Sequence, residues 1–218
     1  MPQNKDLKRR VRARMAETGE NYTQALTHLL GQVALEPLPP AWHITGSRAS
    51  DYEAGLLPGI TYGGDRVAQL RLRPAISEPG GFGALVQTIA APRYLGRRVS
   101  FSAVVKATEV TDWAGLWLRV DGPNGMLVLD NMQDRALRGT TDWTGASIVL
   151  DVAEQARVLL FGALLSGAGA LDLARLRFEE TDEVVPTTVP PLPDEPQALD
   201  FGAAPHLFRM NDDIPPLA

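Results

Sequence analysis

Residues 98–106 read RVSFSAVVK and carry the clearest structural pattern in the chain. Apolar side chains stand at every second position, at Val99, Phe101, Ala103 and Val105. Successive side chains of a β-strand point to opposite faces, so this spacing gathers the four apolar groups on one face. The stretch therefore predicts a strand that buries one face in a core.

Similar short runs lie on both sides of this stretch, separated by turn residues such as PGG at 79–81 and DGPNG at 121–125. The further runs are residues 67–72, 83–89, 116–121, 126–130, 147–151, 157–164 and 170–179. About eight strands, with no room between them for crossover helices of about ten residues, favour antiparallel pairing. We predict a mainly β chain whose residues 42–180 form an antiparallel β-sandwich of the jelly-roll type.

Composition narrows the possible chemistry. Apolar residues make up 44% of the 218 residues, and cysteine is absent. Disulfides and thiolate metal sites are therefore excluded, and a cytoplasmic location is expected. His28, His43 and His206 lie in three different segments, which disfavours a metal site built on several histidines. We expect no metal and no cofactor, and no apolar run is long enough to predict a membrane span.

Residues 1–35 predict a helical hairpin, which we call the head. Leu7, Val11 and Met15 recur every four residues, as on one face of a helix. Gly19 suits the left-handed position after a helix, and Asn21 suits the cap of a second helix. The apolar residues of that second helix are Tyr22, Leu26, Leu29 and Leu30. Helices this short are marginal alone, so their apolar faces need a partner.

The predicted first helix is strongly basic. Residues 1–32 carry a net charge of +3, whereas the whole chain carries −5. The basic side chains are those of Lys5, Lys8, Arg9, Arg10, Arg12 and Arg14. They are candidates for contact with nucleic acid or another anion. The alternatives are binding to the acidic tail of the same chain, contact with a second chain, and a merely solvated helix face.

Two proline-rich segments flank the predicted sandwich. Residues 36–41 predict a stiff linker, and residues 181–218 predict an extended acidic tail. Leu199-Asp200-Phe201 and Leu207-Phe208 are apolar islands in that tail. They either dock on the body or a partner, or are incidental apolar residues.

Several motifs resemble a known bacterial domain. They are WAGLWLRVDG at 113–122, DNMQDR at 130–135, GTTDW at 139–143, FG at 161–162 and LSG at 165–167. Together they resemble a galactose-binding-like jelly-roll domain, similar to carbohydrate-binding modules and found attached to AraC-type regulators and S41-peptidase-like proteins. The resemblance implies a binding module. The aromatic-x-Asp-Asp motif of related sandwiches corresponds to LDLA at 171–174, so a structural calcium site is not expected.

The basic segment also has a resemblance of its own. Residues 11–26 are similar to the paired helices of ribbon-helix-helix and helix-turn-helix proteins, which implies contact with DNA. The segment lacks a ribbon strand and a third helix.

Candidate ligand-binding residues cluster around these motifs. Trp113 and Trp117 are four apart and share a strand face, with Arg119 two residues further on. They predict a stacking platform for a sugar or another flat ligand, and the alternative is that one or both fill the core. Polar residues of the following loop, with one from an earlier strand, extend the candidate site: Asp130, Asn131, Gln133 and Gln87. The alternative for the loop is that its side chains satisfy their own backbone.

No catalytic motif emerges, because the sequence has neither a Gly-x-Ser-x-Gly elbow nor a Walker loop. We expect a non-enzymatic regulator-like protein, with a hydrolase as a minor alternative. In this interpretation the basic head contacts nucleic acid or a second chain, and the sandwich binds a small or carbohydrate-like ligand. The alternatives are a carbohydrate- or peptide-binding accessory module with an oligomerising head, and a structural assembly protein. A homo-oligomer is expected, and no membrane contact.

Overall fold

A computed structural model describes residues 3–22, 25, 29, 33–77, 79–182 and 184–189, with side chains from residue 8 onward. The elements are α1 (Gln3–Thr18), β1 (Trp42–Thr45), β2 (Tyr52–Tyr62), β3 (Asp65–Leu72), β4 (Phe82–Ala90), β5 (Arg98–Thr108), β6 (Val110–Gly122), β7 (Gly125–Asp130), β8 (Leu137–Gly139), β9 (Thr144–Asp151), β10 (Val158–Ser166) and β11 (Ala170–Thr181). Short 3-10 turns cover Ala49–Asp51, Pro92–Tyr94 and Gln133–Arg135.

The strands form two antiparallel sheets packed face to face. One sheet has the order β1-β4-β10-β6-β7, and β8 also pairs with β6. The other has the order β2-β3-β11-β5-β9. The prediction of a mainly β, antiparallel sandwich is therefore confirmed.

The core lies between the two sheets and is richest around three phenylalanine rings. Phe161 of β10 stacks on Phe178 of β11 with ring centroids 4.6 Å apart. Phe101 of β5 lies 5.1 Å from Phe161, so the same ring contacts two strands of the opposite sheet. Burying each such side chain stabilises the fold by roughly 1.5–3 kcal/mol. The alternating residues of 98–106 join this core, because Val99, Phe101, Ala103 and Val105 are all buried in it.

All eight predicted runs overlap observed strands, but β1, β2 and β8 had no counterpart in the sequence pattern. Strand β2 contains Gly55, Pro58 and Gly59, which normally indicate turns. The pairing of β2 with β3 shifts register between Leu56 and Thr61, and Gly59 has a φ of +67°. Pro58 thus lies in a bulge, where the strand pairing does not need a backbone N–H donor at its position.

Among the side chains of α1 that the structure describes, that of Val11 is completely buried. Val11 packs against Ala25 and Leu29, with Met15 beside them. Gly19 follows the helix with a φ of +73°, and its amide donates to the carbonyl of Met15 at 3.0 Å. The predicted second helix lies largely outside the described residues, although Ala25 and Leu29 are helical. Most of the predicted tail, residues 190–218, also lies outside them.

Residues 33–36 run across the five-stranded sheet on the side that faces away from the core. Glu36 and Leu56 exchange backbone hydrogen bonds of 2.9 and 2.8 Å. A side chain at Gly55 would put its Cβ only 2.5 Å from that of Leu35, so a glycine is needed for this close approach. Arg71 donates to the carbonyl of Val33 at 2.8 Å. The chain leading from the head is thus bound to the sheet before the predicted linker begins its proline run.

A buried polar network lies on this side of the sheet. Gln69 donates to the carboxylate of Asp172 at 2.7 Å, and Arg71 donates to the amide oxygen of Gln69 at 3.1 Å. Arg71 also pairs with Glu53 at 2.7 Å. Burial raises the pKa of Asp172 to about 6, against the opposing effects of the Gln69 hydrogen bond and the charges of Lys106 and Arg71.

The raised pKa of Asp172 predicts that the unfolding free energy depends on pH, and that Asp172→Asn removes this dependence. Between the unfolded and folded pKa values the folded chain holds more protons than the unfolded chain, so stability falls as pH rises. The contribution of Asp172 is complete below about pH 4 and is lost as pH rises through about 6. Relative to Asp172→Asn, the unfolding free energy of the unaltered chain is expected to drop by about 2 kcal/mol across this interval.

Urea denaturation at a series of pH values measures this difference. Asp142→Asn is the matched control, because it makes the same substitution at an exposed carboxylate. Parallel profiles for Asp172→Asn would show that Asp172 does not titrate in this range.

Candidate ligand-binding face and basic helix

A second apolar cluster lies on the outer face of the six-stranded sheet, away from the central core. Strand β6 alternates, so Ala114, Leu116 and Leu118 face the core while Trp113 and Trp117 face outward. We call this surface the outer face. Its buried residues are Ala84, Val86, Trp113, Trp117 and Leu164, and Phe82, Ala136 and Leu160 pack against them.

The indole of Trp117 crosses a neighbouring strand. Its Nε1 donates to the carbonyl of Leu85 on β4 at 3.3 Å, although β10 lies between β6 and β4. The β10 residue in register with Trp117 is Gly162. A Cβ at Gly162 would be 1.9 Å from the Leu85 carbonyl oxygen, so only glycine permits this close packing of the central strands.

The two tryptophans thus fit neither sequence-based alternative fully. They lie outside the central core, yet Trp113 is only 9% exposed and Trp117 only 8%. Neighbouring apolar side chains cover most of each ring and leave a small part open to solvent. The pair forms an apolar floor, and its use as a stacking platform stays a prediction.

Polar side chains surround this floor. His43 and Thr45 on β1 are exposed and pair in register with Val86 and Ala84 of the floor. On the other side, Arg119 donates two hydrogen bonds to Asp121, at 2.6 and 2.8 Å. Sequence reasoning missed His43 and Thr45, because the four residues of β1 carried no pattern long enough to indicate a strand.

The loop after β7 borders the outer face. Asp130 accepts from the Met132 amide at 2.8 Å, and Asn131 accepts from the Gln133 amide at 3.1 Å. The Asp130 carboxylate and the Asn131 side-chain amide therefore each accept a hydrogen bond from the backbone of the loop, as the alternative predicted. Asn131 is half-buried and Gln133 is exposed, and both line a shallow depression with Asp130 and Thr188.

Asp130 is a buried carboxylate with a specific partner. It is 5% exposed, and Arg135 donates to it at 2.6 Å. Burial opposes its ionisation, but hydrogen bonds from Arg135, Thr188 and the Met132 amide outweigh that effect and lower the pKa of Asp130. The ion pair anchors the loop that carries Ala136 onto the tryptophan cluster.

The predicted site residues do not all come together. Trp113, Trp117 and Arg119 share the outer face, whereas Asn131 and Gln133 line a shallow depression with Asp130. Asp130 pairs in register with Leu118, which places it on the opposite side. Gln87 is in register with Phe161 and Trp42 on the core side, so it also points away from the tryptophans.

Helix α1 presents a basic surface. Lys8, Arg9, Arg10 and Arg12 are exposed. Arg14 is tied to the turn after the helix, because its guanidinium donates to Glu20 at 2.7 and 3.0 Å, and this contact raises the pKa of Arg14. The side chain of Lys5 lies outside the described residues. Lys8 and Arg12 are one turn apart and share a side of the helix with Arg9.

Metal and membrane chemistry find no support in the part of the chain that the structure describes. No group of three histidine or carboxylate side chains is placed to hold a metal ion there. Nor does any described helix have the length and apolar character needed to cross a membrane.

No family model matches the sequence. The chain is 36% identical over 172 residues to YbfP of Bacillus subtilis strain 168, an uncharacterized HTH-type transcriptional regulator. The match takes in 77% of this chain and 58% of that protein, so the chain spans rather more than half the length of the relative.

Solved structures with a similar sandwich are far less similar in sequence. Tailspike protein 4 of bacteriophage CBA120 overlaps with a TM-score of 0.49 at 10% identity, over 65% of this chain and 20% of that one. The CBM22-1 xylan-binding domain of Paenibacillus barcinonensis Xyn10C gives 0.44 at 15% identity, over 66% and 88%. Scores of this size carry no information about a ligand of this chain.

The loop anchor yields a stability prediction. Arg135→Gln would leave the buried carboxylate of Asp130 without its charged partner, which is expected to cost about 2–3 kcal/mol of unfolding free energy. Arg138→Gln is the matched control, because the partner of Arg138, Asp112, is half-exposed. That variant is expected to lose less than about 1 kcal/mol. Chemical denaturation measures both, and equal losses would contradict a special role for Asp130.

Proposed function

We propose that the chain is a non-enzymatic, ligand-responsive transcriptional regulator. In this proposal helix α1 contacts nucleic acid, and the outer face of the sandwich binds a small, sugar-like ligand. The observation that carries the proposal is the 36% identity to a protein named as an HTH-type transcriptional regulator. The exposed cations of the head and the apolar, polar-rimmed outer face are the features that such a role would use.

The charge of α1 supports contact with phosphates. Val11 is buried against the second helical segment, so the hairpin presents the opposite side of α1 to solvent. Lys8, Arg10 and Arg12 are exposed on this helix and flank the side that Val11 buries. Clustered cations on one helix make up an electrostatic footprint for nucleic acid. Because the whole chain is negatively charged, such contact would be confined to the head.

The chemistry of the outer face supports an amphipathic ring as ligand. The parts of Trp113, Trp117 and Leu164 that stay open to solvent could pack against the apolar face of a sugar ring. Its rim offers hydroxyl, imidazole and guanidinium groups that can bind sugar hydroxyls. Binding sites of this kind combine an apolar surface with a few placed polar groups.

The attachment of residues 33–36 offers a physical route between the two parts. Arg71 holds the Val33 carbonyl, and Glu36 pairs with β2 through its backbone. Residues 33–36, which follow the head in sequence, are therefore bound to the sheet. A ligand that altered the packing of the sandwich would act on the position of the head through these bonds.

Nucleic-acid contact is tested by salt-dependent binding to a mixed-sequence DNA duplex. The triple variant Lys8→Gln, Arg10→Gln, Arg12→Gln is expected to bind at least tenfold more weakly and to lower the slope of log K against log salt by roughly 3. The matched control removes the same charge from exposed residues of the sandwich: Arg97→Gln, Arg157→Gln and Arg177→Gln. Absence of binding at low salt, or equal slopes for both triple variants, would exclude the nucleic-acid role of α1.

Ligand binding is tested with a panel of neutral and acidic oligosaccharides, followed by tryptophan fluorescence and thermal stability. A bound sugar is expected to change the emission of the outer-face tryptophans and raise the unfolding temperature. Arg119→Gln is expected to weaken binding about tenfold, as loss of a charged hydrogen bond does. Arg177→Gln, on the other sheet, is the control and should bind normally. If no sugar in the panel alters the intact protein, the ligand part of the proposal fails.

A further inference from the structure

Strand β7 leaves an apolar edge exposed. It ends the six-stranded sheet, and within the described residues it hydrogen-bonds to β6 alone. Met126, Leu127 and Leu129 are 55%, 40% and 37% exposed. Leu129 pairs in register with Arg119, so Leu127 and Leu129 lie on the outer face. Exposed edge strands with apolar side chains invite another strand, and native proteins usually cover or charge them.

The C-terminal segment reaches this edge. Thr188 pairs with Val149 of β9, with its amide donating to the Val149 carbonyl at 2.9 Å and its hydroxyl accepting from the Val149 amide at 3.0 Å. Val189 then packs against the core, and it lines a shallow depression together with Leu129 and Asp130. The chain has thus passed from the edge of one sheet to the last residues of β7 where the described part ends.

The first proline-free segment beyond Val189 is suited to strand addition. Prolines recur up to Pro196, and a proline cannot donate to a ladder. Residues 197–204, QALDFGAA, are free of proline. Leu199 and Phe201 alternate with Asp200, so in a strand they would share one face.

We propose that residues 197–204 of the same chain pair with the free edge of β7, so that Leu199 and Phe201 cover Leu127 and Leu129. The ten residues from Val189 to Leu199 span up to about 33 Å, against about 20 Å for the whole of β7, so every register is within reach. Backbone hydrogen bonds would satisfy the edge, and the alternating side chains would select the register. The segment extends the sheet that carries the outer face.

Engineered disulfides test the contact in the full chain, which has no cysteine of its own. Pairing Leu129→Cys with Phe201→Cys is expected to give an intramolecular disulfide on mild oxidation, at least fivefold faster than a control pair. The control joins Phe201→Cys to Thr61→Cys, an exposed residue of β2 in the other sheet. Mass spectrometry of the digest identifies the bond. A disulfide formed between two chains would assign the edge to a second copy and overturn the proposal.

Hydrogen exchange tests the same pairing without cysteines. Phe201→Asp in the full chain is expected to speed exchange of the β7 amides at least tenfold and to leave β2 unchanged. Phe208→Asp, an equal change outside residues 197–204, is the matched control and should leave β7 as it was. Equal exchange of β7 in Phe201→Asp and the unaltered chain, together with no preference for the Leu129–Phe201 disulfide, would overturn the proposal.

Discussion

Contact among three phenylalanine rings fixes which residues face outward. Phe161 touches Phe178 and Phe101, so β10 is locked against β11 and β5 of the opposite sheet. Because side chains alternate along a strand, an inward Phe161 requires an outward Gly162. The cross-strand register carries that choice to its neighbours, so Trp117 must also face outward. A slip of one residue would exchange the two faces of the sheet and bury Arg119 in the core.

The outer face gains its shape from the missing side chain of Gly162. The indole of Trp117 crosses the strand at this position and bonds to the Leu85 carbonyl. A large aromatic is thus held flat by the backbone, and apolar neighbours cover most of it. Because these side chains are already packed and largely desolvated, they would lose little further conformational entropy on contact with a ligand. Specificity would then come from the rim, where the hydrogen-bonding groups are exposed.

The five-stranded sheet differs from the other sheet because it binds residues 33–36, which follow the head in sequence. Arg71 lies between Glu53 and Gln69 and still donates to the Val33 carbonyl. The buried carboxylate of Asp172 depends on the same group of side chains, so the network and the attachment of the head are physically one unit. The two sheets therefore differ in what lies on their outer sides: one carries the outer face, and the other binds residues 33–36.

Sequence alone determined the fold class and most of the strands, because alternation such as that of residues 98–106 is a local signal. It also identified the basic helix, since charge and spacing are read directly. It missed β2, because Pro58 and Gly59 normally indicate a turn, and only the pairing with β3 shows that they occupy a bulge. The site depended still more on tertiary structure. Gln87 and Asp130 looked equivalent to Trp117 along the chain, yet strand register places them on the other side of the sheet. Which face of a strand is outward depends on the partner strand and sheet, and those contacts are distant in sequence.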